Sequence, residues 1–448
     1  MKSAYIPVTD EQQAQMLREI GVNSADDLFA AIPESLKLNR GLDLPAPLSE
    51  FELKKAAQTL AKKNLDAGSH SCFLGAGIYD HIIPSAVKHI ISRQEFYTAY
   101  TPYQPEISQG VLQSMFEYQT MIAELTGMDA ANASVYDGAT ALYEAVLLAA
   151  RYTGRNEVLI ARSVNPQYRK VLSSVLRYSD ITIREIGFYH QEEGEKSGRI
   201  NRNELFGAIT EKTAAVVIQS PNFFGVMEDL KAVSAKVKEA GALLIAVCDP
   251  VSLGVFESPG ALGADIAIGE AQPLGNPMNF GGPLLGYFAV KAPYLRRMPG
   301  RIVGETTDSE GRRGFVLTIQ AREQHIRREK ASSNICSNQA LNALAATIYL
   351  CLVGPKGLRE IALRSHQLAV YASRQLEAAG LKLKHRHPFF REFAVQAGDP
   401  ARANRVLLAD GIIGGYELAD SLLLAFTEKR TREQIDRLVS ILGGIKHG

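Results

Sequence analysis

The sequence has few cysteines, almost no net charge and no apolar segment of the length that export or a membrane span requires. Its cysteines show no CxxC spacing, which favours reduced thiols in the cytoplasm; they are Cys72, Cys248, Cys336 and Cys351. A formal net charge of +1 gives no electrostatic reason to expect nucleic acid or an anionic membrane as a partner. The longest apolar window, residues 340–353, is shorter than the roughly 20 residues that cross a bilayer. We therefore expect a soluble, cytoplasmic protein with no metal ion.

Lysine is absent from one central stretch, since none lies between Lys238 and Lys291. The stretch holds two short apolar runs, 243–248 and 265–269, which are typical of strands buried on both faces of a parallel sheet. Ligands of such sheets gather at the carboxyl ends of the strands. The residues delivered there are Asp249 after the first run and Glu270, Ala271, Gln272 and Pro273 after the second.

The chain before this stretch alternates strand-like and helical runs. Strand-like runs at 157–161, 181–186 and 214–219 alternate with helical stretches near 168–177 and 230–240. This alternation predicts βαβ units and a mostly parallel sheet flanked by helices. The predicted fold class is α/β, with an N-terminal helical arm (1–70), a large α/β domain (71–335) and a small C-terminal α+β domain (336–448).

A helix is predicted to begin at the turn Asp137-Gly138-Ala139-Thr140 and to end near Gly154. Free N–H groups and the helix dipole at such an opening can bind a phosphate, and the Thr140 hydroxyl could add a contact. Asp137 is equally an ordinary helix N-cap. The sequence leaves both interpretations open.

Three tyrosines, Tyr97, Tyr100 and Tyr103, lie beside Pro102 and Pro105. Prolines at this density disfavour a helix and a central strand, so we expect the tyrosines on a stiff extended segment. The segment either packs across a surface or forms an aromatic wall for a ligand or for a partner's active site.

The stretch 295–334 is rich in arginine and includes Arg301, His325 and Asn334. The planar fork of arginine suits carboxylates or phosphates. Because glutamates intersperse the arginines, a solvated or subunit-facing network of ion pairs is an equally open interpretation.

Several motifs together resemble known families. The strands and loops of 243–282, with the turn Pro221-Asn222-x-x-Gly225, resemble the cofactor core of fold-type-I pyridoxal-phosphate enzymes. The whole chain resembles the P-protein family of the glycine cleavage system, and within it the half without the cofactor lysine. The segments that carry this resemblance are YTAYTPYQPEISQG, GADIAIGEAQPLGNPMNFGGP, RRMPGRIVGETTD and QAREQHIRREKASSNIC.

The resemblance implies a role for each strand end. In fold-type-I enzymes an aspartate in the position of Asp249 pairs with the pyridinium nitrogen, and a lysine after the second strand forms the Schiff base. That lysine position holds Gln272 and Pro273 here, so the chain would supply no catalytic residue and no covalently bound cofactor. The implied vestigial cofactor-type positions are Asp137, Gly138, Thr140 and Asp249.

The resemblance also implies partners. A homologous subunit 2 would carry pyridoxal phosphate, and the assembly, a heterodimer or a pair of heterodimers, would decarboxylate glycine and pass its aminomethyl group to the lipoamide of H-protein. This chain would then be one subunit of glycine dehydrogenase (decarboxylating), an oxidoreductase. The implied candidates for the subunit interface or the active-site mouth are Tyr97, Tyr100, Tyr103, Arg301, His325 and Asn334.

Two alternatives remain open. The chain could be a non-catalytic regulatory scaffold that keeps the enzyme fold. It could also be a self-sufficient pyridoxal-phosphate enzyme that uses another lysine. Lys291 is a poor substitute, because a further strand-like run, 284–290, separates it from the strand end.

Overall fold

The computed structural model describes residues 5–38, 40–189, 197–335 and 337–447. The chain folds into two compact units, Met1–Leu65 and Asp66–Gly448. The expected three-part division, with its boundary near residue 335, stays a prediction.

The first unit contains helices α1 (Asp10–Ile20) and α2 (Glu50–Ala61). Helix α2 begins with a capping box, in which the Ser49 hydroxyl accepts from the Glu52 amide and the Glu52 carboxylate accepts from the Ser49 amide. No residue of either helix is buried. The unit therefore exposes its apolar side chains.

The second unit contains the remaining elements. Its helices are α3 (Ser85–Ile91), α4 (Gln94–Tyr97), α5 (Gln109–Thr126), α6 (Gly138–Thr153), α7 (Pro166–Val175), α8 (Arg202–Ala208), α9 (Leu230–Glu239), α10 (Gln324–Arg327), α11 (Ala340–Ala378), α12 (Pro400–Ala409) and α13 (Arg432–His447). Its strands are β1 (Ser71–Cys72), β2 (Ala130–Ala131), β3 (Glu157–Ala161), β4 (Thr182–Ile186), β5 (Thr213–Gln219), β6 (Leu243–Val247), β7 (Ile266–Glu270), β8 (Gly286–Val290), β9 (Ile302–Thr307), β10 (Arg313–Thr318), β11 (Glu392–Gln396), β12 (Ile412–Ile413), β13 (Tyr416–Glu417) and β14 (Ser421–Ala425).

A seven-stranded sheet in the order β2-β8-β7-β6-β5-β3-β4 forms the centre of this unit. Strands β4, β3, β5, β6 and β7 are parallel, whereas β8 runs antiparallel to β7 and to β2. Every residue of β6, β7 and β8 is buried, as their continuous apolar runs predict. The α/β fold class is confirmed.

A smaller antiparallel sheet, β11-β14-β13, lies near the C-terminus. Apolar residues of β11, β14, α12 and α13 form a second core cluster that includes Phe393, Leu407, Leu424 and Leu438. Strand β1 pairs in parallel with β12 and so joins the start of the unit to this region.

Helix α11 has the length and apolar composition of a membrane-spanning helix. Its backbone leaves the helical conformation at Gly354 (φ 59°, ψ −179°), directly before Pro355, so it consists of two helical segments. Buried residues of the first segment, among them Leu344 and Tyr349, belong to the main core cluster. Burial in that core accounts for its apolar composition.

The extended conformation expected for the tyrosine segment is wrong at Tyr97. This residue is the last of the short helix α4, whereas Tyr100 and Tyr103 follow in irregular backbone. Pro102 and Pro105 restrict only the residues next to them, so a helix that ends at Tyr97 is free of both.

Candidate functional site

Asp249 follows β6 at the carboxyl end of the parallel strands, and its partner is an arginine. Nη2 of Arg391 lies 2.7 Å from its Oδ2. Arg391 directly precedes β11 and is 1% exposed. The ring of Tyr79 stacks on this guanidinium, with 3.8 Å between the ring centroid and Cζ. The aspartate that the resemblance assigns to a pyridinium nitrogen is thus neutralised by the chain's own cation.

Gln272, one of the two residues that the resemblance places at the position of the Schiff-base lysine, is fully buried and hydrogen-bonded at both ends of its amide. Its Oε1 accepts from the Tyr79 amide at 2.9 Å, and its Nε2 donates to the Tyr79 carbonyl at 3.0 Å and to the Asn276 carbonyl at 2.7 Å. Pro273 is buried as well. Gln272 therefore holds the backbone of the same tyrosine that covers Arg391.

The opening of α6 is occupied by carboxylates of the chain. Asp137 caps the helix, because its Oδ1 accepts from the Thr140 amide at 2.7 Å. Oε2 of Glu270 accepts from the Gly138 amide at 3.1 Å, and Oε1 accepts from Gln272 and Leu285 at 3.0 and 2.8 Å. Burial raises the pKa of Glu270 to about 7.

Tyr168 covers the same helix opening. A Cβ atom on Gly138 would lie 2.1 Å from the Tyr168 hydroxyl, so glycine is needed at this close approach. Burial also raises the pKa of Tyr168 well above its ordinary value, as do the nearby charges of Glu270, Asp137 and Asp249. These carboxylates and the tyrosine form one cluster, here called the strand-end cluster, together with Gln272 and Arg391.

The strand-end cluster does not fit a covalently bound pyridoxal phosphate. A cofactor of that type needs an amine for the imine, an unpaired aspartate for its ring nitrogen and free N–H groups for its phosphate. Gln272 offers an amide, Asp249 is paired with Arg391, and the Gly138 N–H is bonded to Glu270.

A pocket of about 250 Å³ brings together other residues that the sequence singled out, since Tyr97, Tyr100 and Arg301 all line it. The Tyr103 hydroxyl accepts from Nη2 of Arg301 at 3.0 Å, and its ring contacts that of His325 with centroids 5.6 Å apart. This pocket is here called the Arg301 pocket. Tyr97 and Tyr100 line it, and Tyr103 connects Arg301 to His325, so four of the predicted mouth candidates lie around Arg301. Asn334 is exposed and does not line it.

Comparison with known proteins gives the family. The family model described as "Glycine cleavage system P-protein" matches residues 3–442. The chain belongs to the glycine cleavage system P-protein family. This P-protein family member is 53% identical, over 98% of its length and 99% of the relative's, to the probable glycine dehydrogenase (decarboxylating) subunit 1 of Syntrophomonas wolfei.

Solved structures agree with this assignment. The crystal structure of the glycine decarboxylase (P-protein) of the glycine cleavage system, in inhibitor-bound form, matches with a TM-score of 0.90 and 45% identity over 99% of this chain and all of that one. A sphingosine-1-phosphate lyase of Burkholderia pseudomallei matches with a TM-score of 0.67 at 15% identity, covering 93% of this chain and 94% of that one. The fold is that of the fold-type-I pyridoxal-phosphate enzymes, as predicted.

In this P-protein family member, three residues at or beside the strand-end cluster were not predicted from the sequence: Tyr79, Arg391 and Glu392. Arg391 and Glu392 are two charges within an otherwise apolar run, FFREFAV, which was a signal of buried ionic contacts. Glu392 accepts from the Tyr79 hydroxyl at 2.9 Å and from the Ala76 amide at 2.6 Å, and burial raises its pKa to about 7. Nothing in the local sequence marks Tyr79 as their partner.

His81 was missed as well. Its Nδ1 donates to the Tyr79 carbonyl at 3.1 Å, and its Nε2 accepts from the Gly275 amide at 3.1 Å. Burial lowers the pKa of His81 to about 4, so the ring is neutral at physiological pH. This histidine ties the Tyr79 segment to the loop after β7.

Proposed function

We propose that this chain is one of two homologous subunits of a glycine dehydrogenase, and that the other subunit carries pyridoxal phosphate on a lysine. The assembly, a heterodimer or a pair of heterodimers, decarboxylates glycine and passes the aminomethyl group to the lipoamide of H-protein. The observation that carries the proposal is that Gln272 and Pro273 stand where the resemblance places the Schiff-base lysine, and that the buried amide of Gln272 makes three hydrogen bonds within the chain. The names of the relatives, as subunit 1, support a partner.

The contribution of this chain is to complete the assembly. Tyr97 and Tyr100 are 69% and 81% exposed beside the Arg301 pocket. Aromatic side chains displayed around an arginine are typical of the centre of a protein interface. This surface faces the partner and shapes the mouth through which the lipoyl arm enters.

The first unit supplies a second contact with the partner. Helix α2 exposes apolar side chains along its length, with Phe51 79%, Leu53 57% and Leu60 62% accessible. Exposed apolar faces of this kind mark interaction surfaces. The unit packs on the partner subunit in the assembly.

The cytoplasm is the proposed location. The cysteines Cys72, Cys248 and Cys351 are all free thiols, which suits a reducing compartment; Cys336 lies outside the described residues.

The two alternatives differ in what supports them. The filled strand-end cluster also suits a regulatory scaffold, for which substitution of Arg301 or Tyr100 would leave glycine decarboxylation by the intact assembly unchanged. A self-sufficient enzyme using Lys291 has no support in the geometry, because Lys291 Nζ donates to the Gly127 carbonyl at 2.6 Å, away from Asp249 and Gln272.

The test is reconstitution with the homologous lysine-carrying chain from the same source. Each chain alone and the mixture are incubated with pyridoxal phosphate, reduced with borohydride and mapped by peptide analysis, and glycine decarboxylation is measured in parallel. We expect an adduct on the partner only and full activity from the mixture only. An adduct on this chain, or full activity of the partner alone, overturns the proposal.

A further inference from the structure

Arg301 is a buried cation with no anion beside it among the residues that the structure describes. Its side chain is 4% exposed, and no carboxylate among the described residues lies within 4.0 Å of it. Of the other buried arginines, Arg391 pairs with Asp249 and Arg430 pairs with Asp80, each at 2.7 Å. The third, Arg322, donates from Nη2 to the Gly300 carbonyl at 2.7 Å. Because a desolvated guanidinium without a counter-charge is unfavourable, Arg301 needs an explanation that Arg391 and Arg430 do not.

The hydrogen-bonding capacity of Arg301 is only partly used. Nη2 donates to the Tyr103 hydroxyl at 3.0 Å, and Cζ lies 5.5 Å from the Tyr103 ring centroid. Nε is buried and has no hydrogen-bond partner among the described residues. A guanidinium carries five N–H donors in a planar fork, so Arg301 can still donate to an oxyanion without losing Tyr103.

The lining of the Arg301 pocket indicates the kind of anion. Its walls are largely apolar and include Phe96, Met115 and Leu341, while Ser114 and Asn338 add polar groups. Arg301 is the one cation among the residues that line it in the described part of the chain. A single positive charge matches the single negative charge of a carboxylate, whereas a phosphate would leave an excess of negative charge in an apolar recess.

We propose that the Arg301 pocket is a binding site for a carboxylate group. The carboxylate belongs either to a small organic acid or to an aspartate or glutamate side chain of the partner subunit, and the second source rests on the function proposed above. Tyr97 and Tyr100 form the exposed rim, and the Tyr103 hydroxyl holds the guanidinium in place by accepting its hydrogen bond.

The first arm of the test uses the full-length chain alone. Thermal unfolding is followed in sodium acetate and in sodium chloride at equal ionic strength, for the wild type, Arg301→Gln, Arg301→Lys and the control Arg312→Gln. Arg312 is 72% exposed and paired with Asp308. If the site takes small acids, acetate raises the Tm of the wild type and of Arg312→Gln but not of Arg301→Gln.

Two features keep this arm decisive. Arg301→Lys retains the charge but loses the planar fork, so it carries the comparison if Arg301→Gln does not fold; it should show a smaller acetate effect than the wild type. Sodium phosphate at the same ionic strength is a further condition. A larger Tm increase in phosphate than in acetate, lost in Arg301→Gln, would overturn the assignment to a carboxylate.

The second arm measures the affinity of each variant for the homologous lysine-carrying chain. If a partner carboxylate enters the pocket, Arg301→Gln binds at least about tenfold more weakly than the wild type, Arg312→Gln binds normally, and acetate competes with the wild-type association. The proposal is overturned if acetate has no Arg301-dependent effect on Tm and Arg301→Gln binds the partner as tightly as the wild type. Absence of any association by the wild type would count against the proposed function, and the acetate arm alone then decides the carboxylate site.

Discussion

Asp249 and Arg391 form an ion pair of 2.7 Å beneath the ring of Tyr79, at the end of the parallel strands where fold-type-I enzymes hold their cofactor ring. The pair supplies a planar cation to the aspartate and places that cation under an aromatic ring. At this strand end the aspartate is therefore paired with a side chain of the same chain, Arg391.

Substitution of Arg391 tests how much the fold depends on this pair. Arg391→Met leaves the carboxylate of Asp249, which is 12% exposed, without its partner. We expect a loss of about 3–5 kcal/mol in the free energy of unfolding, because an uncompensated charge stays buried. Urea denaturation measures it, and the double variant Arg391→Met with Asp249→Asn should recover part of the loss. Equal stability of Arg391→Met and the wild type would contradict this role.

Replacement of Gln272 by lysine tests whether the strand-end cluster can be converted to a cofactor site. Lysine can only donate, so Gln272→Lys leaves the Tyr79 amide without its 2.9 Å acceptor. We expect a loss of roughly 1–3 kcal/mol in stability and no Schiff-base absorption with added pyridoxal phosphate. Gln272→Leu is the control, which also removes the acceptor for the Tyr79 amide but adds no amine. A borohydride-reducible adduct on residue 272 would show that the cluster is open to the cofactor after all.

The buried carboxyl of Glu270 gives a pH dependence. Its pKa in the folded state is raised to about 7 by burial, above an ordinary value of 4.5, so the folded chain binds the proton more tightly than the unfolded chain. The stabilising contribution is therefore fully present below about pH 4.5 and is lost as the pH rises through about 7, by at most about 1.4 kcal/mol per pH unit.

Urea unfolding of the wild type and of Glu270→Gln at pH 5, 6 and 7 checks this dependence. The advantage of the wild type over Glu270→Gln should shrink as the pH rises, because only the wild type loses a proton at this site. Glu310→Gln, on an exposed turn, controls for the loss of one carboxylate. If the stability advantage of the wild type grew between pH 5 and pH 7, the three backbone N–H groups that donate to Glu270 would lower its pKa by more than burial raises it.

Truncation of Tyr100 separates assembly from stability. Tyr100 is 81% exposed, so Tyr100→Ala should change the free energy of unfolding of this chain by no more than about 0.5 kcal/mol. The same variant should lower glycine decarboxylation by the reconstituted mixture several-fold, because an aromatic anchor at the mouth is lost. Tyr178→Ala is the control, since Tyr178 is 93% exposed but lies on a different loop. Wild-type activity of the Tyr100→Ala mixture would place the tyrosine outside the interface.

The sequence by itself determined the elements that build the sheet. Continuous apolar runs predict β3, β5, β6 and β7 to within about one residue, because a strand buried on both faces has no polar positions. The capping box at Ser49 and the N-cap at Asp137 follow equally from local chemistry. The sequence also shows that the strand ends of β6 and β7 carry no lysine, because none lies between Lys238 and Lys291.

Tertiary structure alone decided what occupies those strand ends. Gln272 and Tyr79 are 193 residues apart in the sequence, and Arg391 reaches Asp249 from the position directly before a strand of a different sheet. The N–H groups at the start of α6 could donate to Asp137, to a phosphate or to Glu270. Which of these they bind depended on the side chains that pack over the helix start in the folded chain. Periodicity records how each segment is buried, but the pairing of distant charges is fixed only when the layers come together and each buried polar group must find a partner.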